Sequence, residues 1–412
     1  MKSMFNNLIL YKKSVPALRF YLEVSIFCLF FLVFFFTIGL NYLWPFNYLN
    51  IAFYVLLSGL ILFWSLNYKN LYFNYYFVLF AFFNIMIIVS SLLNGFFYIN
   101  TTVLTLSATT FIFSQFIVEK EYRTKVLKIF ALAFIAFLVV FSLKNIVQLF
   151  SLQQQLDFFG ADPNVFSYIF VYSYLVLLYF LLYKRTYFLI PFCLYTILLI
   201  FIIGSRSALL LMIICSIAML FLFFGKRRFY IPIIITVVII LLVVLILSLP
   251  IPQLEELKAR LIDAFQSIFE NGSGDTSSNH RIMMFFYGID IILKRPFFGY
   301  GGIYRFGFYN FSGQISHNNF IEIGFNYGLL TLILYEAFII YSIYKLFKNK
   351  REESHLYINF LICFFLMQFF YPIFTNKIDY FVICFALSAI AKDTTRGKLS
   401  IKSKKINLIV EK

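Results

Sequence analysis

Residues 186–225 read TYFLIPFCLYTILLIFIIGSRSALLLMIICSIAMLFLFFG, two apolar runs, 186–203 and 207–225, parted by Gly204, Ser205 and Arg206. Each run is close to the roughly 20 residues that a helix needs to cross a hydrocarbon core. The pair therefore reads as two successive membrane helices joined by a tight polar turn. The same rhythm continues on both sides, with further apolar segments at roughly 18–40, 48–66, 71–93, 99–118, 126–143, 164–183, 229–249, 319–344, 355–372 and 378–391. Of 412 residues, 62% are hydrophobic, 22% aromatic and only 13% charged, whereas a soluble domain is about 45–50% apolar. A soluble domain is excluded. The expected fold is all-α, a polytopic transmembrane bundle of about 12 helices. The run 18–40 is too long for a signal-peptide core and lacks a small-residue cleavage site, so it is expected to remain as a helix.

The formal charge of +16, from 34 Lys and Arg against 18 Asp and Glu, would suggest nucleic acid for a soluble chain. Here topology accounts for it. With both termini cytoplasmic, most of the Lys and Arg fall in inner loops, as the positive-inside rule requires. Lys226-Arg227-Arg228 and the tail 392–412 then face anionic inner-leaflet lipid, and no nucleic-acid partner is expected. The five Cys (28, 193, 215, 363 and 384) all lie in apolar stretches, which suggests neither disulfides nor a thiolate metal site. The expected organisation is helices one to nine over 1–249, an extracytoplasmic loop over 250–318, three more helices over 319–391 and a basic cytoplasmic tail over 392–412. One large, off-centre loop without an internal repeat argues against a transporter built from two equal halves.

The long loop is patterned. Leu254, Leu257, Leu261, Ile262, Phe265, Ile268 and Phe269 recur at helical spacing opposite Glu255, Glu256, Lys258 and Asp263, an amphipathic helix. A flexible break at 271–275 precedes a second helix, expected from about His280 to Lys294, capped by Ser277, Ser278 or Asn279 and stopped by Pro296. The glycines of Phe298-Gly299-Tyr300-Gly301-Gly302 permit either tight turns or close approach of a ligand to backbone.

Polar side chains at membrane depth are costly and become functional candidates by default. Arg206 stands at an outer helix junction, where snorkelling anchors are disfavoured. Arg281 opens the second loop helix, Arg305 follows the glycine run, and His317 begins the segment Ser316-His317-Asn318-Asn319-Phe320-Ile321-Glu322. Guanidinium groups match phosphate oxygens, and histidine exchanges protons near neutral pH; together they suit chemistry on a phosphorylated lipid. Glu322, at i+4 from Asn318, is either a hydrogen-bonded structural group or an alternative general base. Asp162-Pro163-Asn164 reads as an N-cap and turn, with Asn164 a candidate substrate contact. Lys294 and Arg295 read as a solvated charge pair, and His280 and His355 show no partner pattern. A single outer His does not make a histidine-based metal site.

Taken together, Ser205-Arg206, Arg281, Pro296 followed by Gly299 and Gly301, and Ser316-His317-Asn318 leading to Glu322 and Gly328-Leu329 resemble the O-antigen ligase and polymerase superfamily over about residues 200–335. Asp162-Pro163-Asn164 is similar to a pattern common in its polymerases. The resemblance implies a glycosyltransferase of the C type that takes glycan from undecaprenyl pyrophosphate on the outer face of the bacterial inner membrane. It requires no cofactor and no metal. Ligases pass the glycan to lipid A-core and polymerases to another lipid-linked repeat, and a chain-length regulator is a further expected partner of a polymerase. Carried over from the family, Arg206 and Arg281 would hold pyrophosphate and His317 would activate the acceptor hydroxyl; Arg305 is added from its position and charge, and Asn318 as a substrate contact. A polymerase is the expectation, with a ligase second. A non-catalytic lipid-glycan flippase would instead distribute its charges along an internal pathway.

Overall fold

A computed structural model describes residues 75–94, 101–118, 120–145, 163–203, 205–225, 228–247, 276–301, 316–349, 351–370, 379–380 and 382–390. Among them there is no strand. The helices are α1 (Tyr75–Leu93), α2 (Thr101–Phe116), α3 (Lys120–Lys144), α4 (Pro163–Lys184), α5 (Ile190–Ile203), α6 (Arg206–Phe224), α7 (Tyr230–Leu247), α8 (Thr276–Lys294), α9 (Asn319–Tyr327), α10 (Leu329–Lys348) and α11 (Glu352–Met367), with 379–380 and 382–390 also helical. The expected segments 18–40 and 48–66, the amphipathic helix 254–269 and the tail 392–412 lie outside the described residues. Among the described residues four helices are long and apolar enough to cross a membrane, the spans being Arg123–Lys144, Phe166–Lys184, Arg206–Phe224 and Leu329–Lys348.

The centre of the bundle is α4, where 83% of the apolar window is buried against 33–44% in the other three spans. A helix that is hydrophobic all round buries all its faces, and α4 does so among aromatic neighbours such as Phe134 and Phe360. Polar pairs fix the directions of the helices around it. Tyr168 OH meets Ser207 Oγ at 2.9 Å and Ser216 Oγ donates to Tyr174 OH at 3.1 Å, so α4 and α6 run parallel. Tyr183 OH meets His355 Nδ1 at 2.6 Å and Tyr172 stacks edge-on against Phe360, so α11 runs the opposite way. On the other flank α1 runs antiparallel to α10, with ring centroids 4.8 Å apart for Phe83 and Tyr335 and 5.4 Å for Phe80 and Phe338.

At the end where α4 finishes and α11 begins, Arg123 and Glu353 form a buried ion pair at 2.8 Å. Arg123 Nη1 also donates to the carbonyls of Ile117, Val118 and Ser388, which ties the α2–α3 turn to α11 and to the 382–390 helix. His355, which showed no partner pattern in the sequence, belongs to this end through Tyr183.

Two expectations are corrected at the opposite end. The segment 319–344, read as one helix, breaks at Gly328 into α9 and α10. Gly328 has φ +87°, and a Cβ there would collide with the carbonyl of Phe297. The first free donor of α10, Leu329 N–H, bonds instead to Pro296 O at 2.6 Å. Gly299, at φ +58°, interlocks from the other side, since its Cβ would stand 2.5 Å from Phe325 O. The glycine run thus serves chain-to-chain approach, with Tyr300 N–H and Gly301 N–H bonded to the carbonyls that end α9. The second correction concerns α8, which starts at Thr276, so Ser277, Ser278 and Asn279 lie inside its first turn rather than capping it.

Candidate functional site

Arg281 is placed by the packing of α8. Met284, Ile291 and Ile292 share one face, spaced as helical neighbours, and form a small core with Tyr300, Ile321 and Phe325. That core clamps α8 onto α9. Tyr300 and Phe325 stack at 4.9 Å within it, and Arg295 covers the Tyr300 ring at 4.9 Å while donating to Asn94 Oδ1 at 3.1 Å. With its apolar face so committed, α8 leaves Arg281, Phe285 and Phe286 exposed. Lys294 and Arg295 are both exposed, as expected of a solvated pair of charges, and Lys294 bonds to Asp290 at 2.8 Å in solvent.

The turn that carries His317 is held by side chains around it. Asn318 caps α9, its Oδ1 accepting from Ile321 N–H at 3.1 Å. Ser316 Oγ donates to Asn318 O at 3.0 Å, and Glu322 Oε1 accepts from Ser316 N–H at 2.8 Å. Between these restraints His317 is driven to φ +53°, in the left-handed region. Such a conformation costs a non-glycine residue about 1–3 kcal/mol and persists only where the surroundings impose it. His317 therefore stands just before α9, which starts at Asn319 as the expected segment does.

These elements border an open cavity of about 400 Å³, lined by Arg281, Phe285, Phe286, Ser316, His317, Asn318 and Phe369. Of the residues singled out in the sequence, it unites Arg281, His317 and Asn318, 36 positions apart in the case of the first two. Glu322 stands behind the wall. Its Oε2 accepts from Asn326 Nδ2 at 3.3 Å, so both carboxylate oxygens are engaged by protein donors. This favours the first of its two readings, a group that holds the turn.

Arg206 is not among the lining residues, but it stands at the same end of the bundle. Asn359 Nδ2 touches Met219 Sδ at 3.6 Å; counting from that level at 1.5 Å per residue, Arg206 lies roughly 20 Å and Phe369 roughly 15 Å toward this end. Asn164 opens α4 at that end as well, in line with the Tyr168–Ser207 bond, though its side chain is outside the described residues, as are Asp162, the side chain of His280 and the whole of Arg305.

The sequence reading missed the three Phe of the cavity, since in so aromatic a chain no single Phe stands out. It also missed the polar groups behind Phe369. Gln368 accepts from Asn319 Nδ2 at 2.6 Å through Oε1 and donates to Glu336 Oε2 at 3.1 Å through Nε2. Asp379, fully buried, accepts from Tyr172 OH at 2.9 Å. A carboxylate in the middle of an apolar run was the available signal for Glu336.

Residues 191–335 match a family model described as O-antigen ligase. The matched stretch contains Arg206, Arg281, His317, Asn318 and Glu322, the residues that carry the resemblance seen in the sequence, and ends one position before Glu336. Comparison with curated proteins gives no match.

Proposed function

We propose that this membrane protein, whose residues 191–335 are of the O-antigen ligase and polymerase superfamily, is a polysaccharide polymerase acting on lipid-linked repeat units. The observation that supports this reading is the cavity in which a guanidinium, an imidazole and an amide meet a wall of three Phe. Such a lining offers charge to a pyrophosphate, a base to a hydroxyl, and apolar surface to the first part of a polyprenyl chain.

In the proposed reaction the hydroxyl oxygen of the acceptor sugar forms a bond to the anomeric carbon of the donor glycan as the bond from that carbon to the pyrophosphate oxygen breaks. Undecaprenyl pyrophosphate departs with the electron pair. His317 takes the hydroxyl proton, and Arg281, with Arg206 from the same end of the bundle, stabilises the charge developing on the leaving group. Asn318 orients a substrate hydroxyl, and Asn164 and Arg305 are assigned to substrate and pyrophosphate from sequence position alone. The site faces the outside of the inner membrane, because the opposite end carries the basic inner loops around Arg123 and Arg228.

A ligase that transfers the glycan to lipid A-core uses the same groups, and the description of the matched family keeps that reading in play. A deletion strain separates the two. Single lipid-linked repeats accumulating in its membranes establish the polymerase, and long lipid-linked chains establish the ligase.

A further inference from the structure

Behind the cavity runs a chain of side-chain hydrogen bonds that the proposed reaction does not use. Glu336 lies two turns into α10, in an otherwise apolar stretch, where burying a carboxylate is costly. One of its oxygens, Oε1, is buried without a hydrogen bond. The other accepts from Gln368 Nε2 at 3.1 Å, and Gln368 Oε1 accepts from Asn319 Nδ2 at 2.6 Å. The backbone reinforces the second contact, as Asn319 N–H donates to Gln368 O at 2.8 Å.

Two links of this chain, Asn319 and Gln368, adjoin residues that line the cavity. Asn319 follows Asn318 and His317 directly, while Gln368 precedes Phe369. Phe320 and Phe369 close the same seam, with ring centroids 4.8 Å apart. Gln368 is fully buried and Asn319 likewise, so neither amide exchanges its partner for water without opening the seam. Loss of Gln368 takes one buried partner from the Asn319 amide and one from Glu336 Oε2, which is costly where water does not replace it.

We propose that Glu336 is a positioning residue that, through Gln368 and Asn319, holds the His317–Asn318 turn against Phe369 and so sets the width of the cavity. Glu336 aligns the Gln368 amide by accepting from its nitrogen, which leaves the amide oxygen facing Asn319. The catalytic consequence rests on the role given above to His317; the positional one does not.

The test therefore reads the turn by two routes. His317 is one of three His in the chain, at 280, 317 and 355, and its carbethoxylation by diethyl pyrocarbonate can be followed by peptide mass spectrometry on detergent-purified protein. Glu336→Leu removes the first acceptor, and Gln368→Met keeps side-chain length while removing both amide groups, which serves if the Leu variant fails to accumulate. Both should modify at His317 several-fold faster than wild type at equal helical content. Glu336→Gln, whose amide oxygen still accepts from Gln368, should match wild type. Turnover of lipid-linked repeats should fall on the order of 10–100-fold in the first two, as for a reacting group displaced by about 1 Å. The double variant should be no worse than Gln368→Met, because both act along one chain of bonds. Unchanged His317 reactivity in the folded Leu and Met variants overturns the proposal, as does a Gln variant that behaves like Leu. Faster modification with unimpaired turnover would leave the positioning intact and count against His317 as the base.

Discussion

At the scale of single residues, His317 and Glu322, the two candidate bases, stand in different surroundings. His317 lines the cavity, and Glu322 spends both oxygens on Ser316 N–H and Asn326 Nδ2 behind it. His317→Ala should lower turnover by roughly 10²–10⁴-fold, the range for losing a general base, with little change in donor binding, since Arg281 remains. Glu322→Gln keeps an acceptor for Ser316 N–H and should cost far less, whereas Glu322→Leu should release the turn. Turnover of purified variants on synthetic lipid-linked repeats across pH 5 to 9 checks this. A dead Glu322→Gln beside a His317→Ala that keeps more than a tenth of its activity would move the base to the carboxylate. Arg206 and Arg281 carry a parallel expectation. If they grip pyrophosphate bidentately, Lys at either position should be nearly as inactive as Ala, because a point charge does not reproduce the guanidinium fork. Normal activity of Arg206→Lys at equal membrane abundance would leave that residue a headgroup anchor.

At the scale of elements, the Gly328 break decides the site. Had residues 319–344 continued as one helix, the start of α9 would not be held under α8 by the 296–301 turn, and Arg281 would not share a cavity with His317. Gly328→Ala meets a positive φ and the Phe297 carbonyl together, so it should destabilise the protein by more than the roughly 1 kcal/mol that a helix-interior Gly/Ala exchange involves. Thermal unfolding in detergent, followed by the loss of helical circular dichroism, measures this, and an unaltered midpoint would mean that the interlock is slack. The motif was visible in the sequence as glycines after Pro296 and before Leu329. What could not be read was that the two glycine sites face each other, as they lie 29 positions apart and meet only through the docking of α8 on α9.

Across the whole molecule, the two ends of the bundle do different things. One end gathers Asn164, Arg206, Arg281 and His317, and the other gathers Arg123, Glu353 and His355. The Arg123–Glu353 pair is fully buried; removing Arg123 leaves Glu353 the more distant Arg351 at 4.0 Å, and breaking such a pair costs about 3–5 kcal/mol, while replacing both partners by apolar residues is often neutral. Arg123→Met should therefore lower thermal stability sharply, and Arg123→Met with Glu353→Leu should recover most of it, with turnover per folded molecule unchanged in both. A double variant as unstable as the single one would show that Arg123 acts through the Ile117, Val118 and Ser388 carbonyls instead. The ends should also lie on opposite sides of the membrane. In a Cys28→Ser background, Lys294→Cys should react with an impermeant maleimide in intact spheroplasts and Glu352→Cys only after lysis; the reverse pattern would invert the topology and remove the proposed donor.

The amino-acid sequence by itself determined the membrane class, the all-helical character, the positions of most of the described helices to within a few residues, and the resemblance that the family match over 191–335 bears out, because hydropathy runs and short motifs are written locally and survive in one dimension. It also singled out Arg281, His317 and Asn318. Only the tertiary structure decided that these three share a cavity, that Glu322 holds the turn from behind, that the helix at 319–344 is broken, and that Glu336, Gln368 and Asn319 link up. The reason is physical. Each of those facts is a contact between side chains or backbones distant along the chain, and its energy depends on how α8, α9 and α11 dock, which no local run of residues encodes.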